Sequence, residues 1–132
     1  MSFELQTVAY SVLILFALLM IQGTLVPLNQ GLAWGLGSRD AKRDTTSLQA
    51  RTARTIAHHM EGMWLFVPLA VLVELSGAAS SLTIWGAGLY LAGRLAFAPL
   101  YLFGVAYLRS AAWGVAILGT IMLAVPVLAA VF

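Results

Sequence analysis

Long apolar runs broken by brief polar interruptions set the pattern of this chain. Residues 5–38 contain no charged side chain, and about 20 apolar residues cross a bilayer. A first helix is therefore predicted over about residues 6–28, closing at Pro27 and the Asn29-Gln30-Gly31 run, with Trp34 suited to the membrane interface. Residues 35–47 (GLGSRDAKRDTTS) mix glycine, hydroxyls and both charge signs, as turns and caps do. Asp44, Thr45, Thr46 or Ser47 can cap a second helix, since each has a short side-chain oxygen for its free amides. That helix is predicted over about residues 48–75, a length of about 40 Å that exceeds the hydrocarbon core and carries its first turns into the headgroups or cytosol.

The short Ser-Gly-Ala-Ala-Ser-Ser turn at residues 76–81 makes the second and third helices antiparallel neighbours. The third helix is placed at about residues 82–105, interrupted by Arg94 and Pro99, and the fourth at about residues 110–132 beyond the link Ala106-Tyr107-Leu108-Arg109. Pro68 removes a backbone hydrogen bond within the second helix and marks a kink. No internal repeat or soluble domain is left over. The chain reads as all-α, a single integral membrane four-helix bundle over residues 1–132.

Composition agrees. With 61% hydrophobic and 9% charged residues, there is too little polar surface to coat a soluble globule, whose charged fraction is about 25%. The net charge of +2 is a local matter, because five of the seven basic residues lie between Arg39 and Arg54. We read that excess as topology rather than as a nucleic-acid surface. By the positive-inside rule, both basic loops face the cytoplasm and both termini face the other side. The N-terminus lacks a basic segment and a small-residue cleavage site, so the first helix is expected to be retained. With no cysteine, disulfides and a cysteine nucleophile are excluded.

Charge fed into an apolar helix is costly and asks for a reason. At about 100° per residue, Arg51, Arg54, His58 and Glu61 fall within an arc of about 80° on the second helix. Glu61 lies deepest, about 15 Å along the axis from Arg51. The plainer readings are arginines that snorkel to phosphates and a glutamate locked in an internal ion pair. His59 points about 100° away and reads as a packing or interface residue. On the third helix, Arg94 and Tyr101 share a face two turns apart. Glu61 is a candidate counter-ion for Arg94. Tyr101 is either a hydroxyl donor to a thiolate or oxyanion or an aromatic-belt residue, as is Tyr107 for the belt. Arg109 is either a phosphate-facing residue or a carboxylate clamp. Adjacent histidines diverge and no HxxxH spacing occurs, so no metal site is expected.

The run GLGSRD, then Arg-x-x-Arg-x-x-x-His-x-x-Glu before an apolar segment, then Leu89-Tyr90, Arg94, Ala98-Pro99-Leu100-Tyr101, Tyr107-Leu108-Arg109 and Trp113, resembles the MAPEG family (membrane-associated proteins in eicosanoid and glutathione metabolism), in particular its short bacterial members. The resemblance covers essentially the whole chain. It implies a homotrimer in a bacterial inner membrane, with glutathione bound between subunits in the cytoplasmic half. Arg54, Glu61, Arg94 and Tyr101 match family positions, and Tyr101 or Arg109 inherits the role of holding the glutathione thiolate. Arg51 and His58 join the cofactor-binding set. One departure is His58 itself, which stands where the family usually has Asn, followed by Gly62 where short bacterial members often carry Asn.

The function expected from this is a membrane-embedded glutathione-dependent transferase or peroxidase acting on lipophilic electrophiles or hydroperoxides, with Tyr101 and Arg109 as catalytic groups. Its partners would be further copies of itself, membrane lipids and the lipophilic substrate. The alternative is a non-catalytic protein of the same fold that binds a lipid or other small ligand. A small transporter fits poorly, because repeated halves and broken mid-membrane helices are missing.

Overall fold

In the computed structural model, which describes residues 1–132, every regular element is helical: α1 (Phe3–Gln30), α2 (Leu32–Leu36), α3 (Ser47–Ser76), α4 (Ser81–Leu102) and α5 (Ala106–Val131). Helices α1, α3 and α5 are long and apolar enough to cross a membrane. Helix α4 is the shortest of the four long helices at 22 residues and carries the buried Arg94.

Helix α1 runs further past its proline than the sequence pattern predicts, while the predicted spans of the other long helices already contain theirs. Pro27 lies inside α1, which continues to Gln30, and Pro68, Pro99 and Pro126 likewise sit within helices. In a packed membrane helix, neighbouring groups and local adjustment compensate the missing N–H, so proline does not end the element. The largest correction falls at the link between the last two helices. The predicted third helix extends to about residue 105 and the fourth begins near 110; instead α4 ends at Leu102 and α5 starts at Ala106. Gly104 adopts a left-handed φ of 75°, and Val105 N–H donates to the Leu100 carbonyl at 2.9 Å. That is a Schellman-type closure, for which glycine pays no Cβ penalty. Arg109 therefore lies in the first turn of α5 rather than in a loop. Helix α2 is a further element that the pattern does not predict.

Of the four cap candidates for α3, Thr46 is the one used, forming a capping box with Gln49. Gln49 also exchanges side-chain amide bonds of 2.9 and 2.7 Å with Gln30 at the end of α1. These two buried amides satisfy each other and tie the start of α3 to the end of α1. Trp34 anchors the intervening loop by donating to the Ala41 carbonyl at 2.6 Å, with Arg39 and Arg43 over its ring.

Helix α1 packs on α3 and α4, while α5 packs on α3 and most intimately on α4. The α4–α5 seam is lined by small residues. A Cβ on Gly93 would lie 2.7 Å from both the Ala112 carbonyl oxygen and the Ala116 backbone nitrogen, and one on Gly86 would lie 2.7 Å from the Gly119 carbonyl oxygen. Close backbone approach replaces the hydrophobic driving force that lipid surroundings remove. Beside the seam lies the core of Phe66, Ala70, Val73, Ala87, Tyr90, Ala116, Leu123 and Val127. Phe66 stacks on Tyr90 with centroids 3.8 Å apart.

Gly93→Ala should therefore destabilise the protein by about 1–3 kcal/mol, as overpacking does. Gly114→Ala meets nothing within 4 Å and should be neutral or gain up to about 1 kcal/mol from helix propensity. Thermal melts of the two variants in detergent check the contrast, and equal melting temperatures would contradict the seam.

Candidate functional site

The basic end of the molecule is assembled from three helices. Antiparallel packing brings the first turns of α3, the end of α4 and the start of α5 together, so Arg51, Arg54, Tyr101, Gly104, Ala106 and Arg109 line one groove of about 260 Å³. Three guanidinium groups thus surround one phenol. Arg51 is half-buried, and its Nε donates to the Leu102 carbonyl at 2.9 Å, which leaves its terminal nitrogens beside Gly104. Arg54 is exposed, one turn further along.

Tyr101 is 8% exposed, with its ring 5.4 Å from that of Phe97. The Arg109 guanidinium carbon lies 4.6 Å from the Tyr101 ring centroid. Such stacking presents the cation on one face of the ring while the hydroxyl edge stays available. Tyr107, by contrast, is 92% exposed and lines neither groove.

Arg109 also lines a second, smaller groove of about 180 Å³ with His58, Phe97, Ser110 and Trp113. His58 is the hinge between the two. Its ring centroid lies 5.7 Å from Tyr101 and 5.8 Å from Phe97, and its Nδ1 lies 3.4 Å from a carboxylate oxygen of Glu61. Glu61 is exposed and lines neither groove, although it continues the polar face that Arg51, Arg54 and His58 form on α3. His59, by contrast, is 1% exposed and its Nε2 donates to the Ser11 carbonyl of α1 at 2.9 Å, the packing role expected of it.

Arg94 behaves differently from the expectation of a Glu61 ion pair. Glu61 pairs with His58, and no carboxylate lies within 4 Å of Arg94. The Arg94 side chain is 1% exposed and donates from Nη1 to the His58 carbonyl at 3.2 Å, with its guanidinium near the Tyr90 and Phe97 rings. Space for it comes from Gly62, where a Cβ would overlap the guanidinium. So Arg94 supports the site from behind, through the backbone of His58, rather than lining either groove.

The lining roles of Gly104 and Ala106 escape sequence patterns, because they depend on where the α4–α5 link closes; a glycine in a short interhelical link is the one available hint. Gly62 carries no periodic signal at all.

Gly62→Ala should displace the Arg94 guanidinium and break its bond to His58, at a cost of about 1–3 kcal/mol. In an Arg94→Met background the same change should cost little. A double-mutant cycle on melting free energies checks that coupling, and additive effects would contradict it.

Comparison with known proteins leads to one group. No curated protein and no solved structure matches the chain. The model of the MAPEG family does match, over residues 7–129, a span that includes every residue of both grooves. With nearly all of its 132 residues matched, the chain belongs to the MAPEG family.

Proposed function

We propose that this protein is a membrane-embedded, glutathione-dependent transferase or peroxidase acting on lipophilic electrophiles or hydroperoxides. The observation that carries this is the groove in which Arg51, Arg54 and Arg109 surround Tyr101 at one end of apolar, membrane-length helices. Guanidinium groups recognise carboxylates by paired, directional hydrogen bonds, and glutathione offers two carboxylates and an amine. Arg51, Arg54 and Arg109 would take the carboxylates, and Glu61 is the acidic group available for the amine. A thiol loses its proton more readily beside cations and donors, which fits Tyr101 and Arg109 as the groups that hold sulfur. Arg94 would act indirectly, by fixing His58.

The groove volume of about 260 Å³ falls just short of the about 300–1,000 Å³ usual for small-molecule sites. A second copy of the chain would supply the missing wall, which supports the homotrimer that the family typically forms. Six of the seven basic residues, all but Arg94, belong to the loops and helix ends on one side. That asymmetry supports an inner-membrane protein with this end in the cytoplasm and both termini opposite. It also supports a four-helix membrane unit in which α4 crosses with the other three long helices.

A non-catalytic, ligand-binding role draws support from two contacts that need no ligand: Arg51 on the Leu102 carbonyl and Arg109 on Tyr101. Both hold the α4–α5 link in place. The two roles separate by experiment. Purified protein should show a thermal shift with millimolar glutathione and turn over a lipophilic halonitroarene or hydroperoxide. Tyr101→Phe should lower kcat/KM by about 10- to 1,000-fold while oligomer size and melting stay unchanged. Unaltered function in Tyr101→Phe favours the non-catalytic role, and absence of both shift and turnover in the unmutated protein would overturn the enzyme.

A further inference from the structure

Guanidinium groups and a phenol can stabilise a thiolate, but they leave open where the thiol proton goes. Arginine stays protonated in proteins and tyrosine is a donor near neutral pH, so neither accepts it. Water can take that proton, and so can one side chain beside the basic groove, the His58 imidazole, whose ring centroid lies 5.7 Å from that of Tyr101.

The groups facing His58 are few. From its own helix come Glu61, 3.4 Å from Nδ1, and Arg54 one turn earlier. From α4 come Tyr101 and Phe97, with ring centroids 5.7 and 5.8 Å away, and Arg94, which holds the His58 carbonyl. From α5 come Arg109, Ser110 and Trp113 across the smaller groove. A carboxylate at Nδ1 favours the tautomer with its proton there, leaving the Nε2 lone pair free to accept. At 3.4 Å the contact is an ion-pair separation rather than a hydrogen bond, and a small closure of it gives a general base oriented by a third group. The Arg94 bond to the His58 backbone and the Gly62 gap behind it hold that stretch of α3 in place.

We propose that His58, oriented by Glu61, is a catalytic base of the thiol reaction; this rests on the glutathione-dependent function proposed above. In a transfer step, the thiol S–H bond breaks and its proton passes to Nε2. The electron pair left on sulfur forms the S–C bond to the electrophilic carbon. The leaving group departs with its bonding pair, a halide leaving as the anion, and the imidazolium gives its proton to water, which restores neutral His58. Glu61 stabilises the imidazolium without itself taking up the proton. Asparagine at this position can bind a ligand but cannot accept the proton, so the histidine alters the chemistry of the site as well as its shape.

His58→Asn separates the two roles. Glutathione affinity, read by thermal shift, should stay within about threefold, because the amide still donates and accepts. The halonitroarene kcat/KM at neutral pH should fall by about 100-fold or more. The ultraviolet absorbance of bound thiolate at neutral pH should disappear as well. His58→Ala should regain part of its rate on addition of free imidazole. His58→Gln serves the same comparison if the asparagine variant fails to fold. His58→Asn with unmutated rate and thiolate absorbance overturns the proposal, as does loss of binding and rate together, which would make His58 an anchor only. In those cases glutathione turnover by the unmutated protein leaves the enzyme function standing; absence of glutathione binding and turnover in it overturns both.

Discussion

Burying the Arg94 guanidinium is the constraint around which the basic end of this helical structure is built. A cation in a membrane-embedded interior is expensive unless it is fully provided for. The chain provides for most of it, with a backbone carbonyl, two aromatic faces and a gap in the opposing helix from His58, Tyr90, Phe97 and Gly62, and leaves the buried Nε without a hydrogen-bond partner. Each provision comes from α3 or α4, so accommodating one side chain sets how closely those helices approach. It also fixes the stretch of α3 that presents His58 and Glu61.

The rest of the site inherits that placement. With α3 and α4 registered, the glycine-lined seam places α5 against α4, and the Gly104 closure brings Arg109 onto Tyr101. The first turns of α3 are secured separately, by the Thr46–Gln49 box and the Gln30–Gln49 amide pair. Arg51 and Arg54 thus enter the groove from a helix start that is satisfied at every free donor its cap can reach. Apolar grooves elsewhere, such as that of Leu15, Met60, Met63, Trp64, Val67 and Pro68, carry no comparable polar groups. The grooves lined by clustered ionisable side chains lie at the basic end.

Much of the site was legible before the fold. Three-plus-four-plus-three spacing put Arg51, Arg54, His58 and Glu61 on one face, and α3 presents them as such. The same spacing assigned His59 to packing, where its bond to Ser11 places it. What spacing could not reach was pairing between helices. Arg94 and Glu61 are the obvious opposite charges, yet Glu61 turns outward to His58 and Arg94 turns inward to a carbonyl. A side chain's partner depends on the rotation of one helix against another, which no single-helix periodicity encodes.

By itself, then, the sequence determined the long helices, their approximate ends, the basic face of α3 and the absence of any thiol of the protein's own. Those follow from local quantities: apolar length, turn residues, periodicity and composition. Only the tertiary structure decided that α1 would continue past Pro27 to Gln30, that the α4–α5 link would close at Gly104, and that Gly62 would open space for Arg94. Those outcomes depend on which backbone groups a neighbouring helix can satisfy and how near it can come. The meeting of His58, Tyr101 and Arg109 belongs to the second kind, since it needs three helices at once.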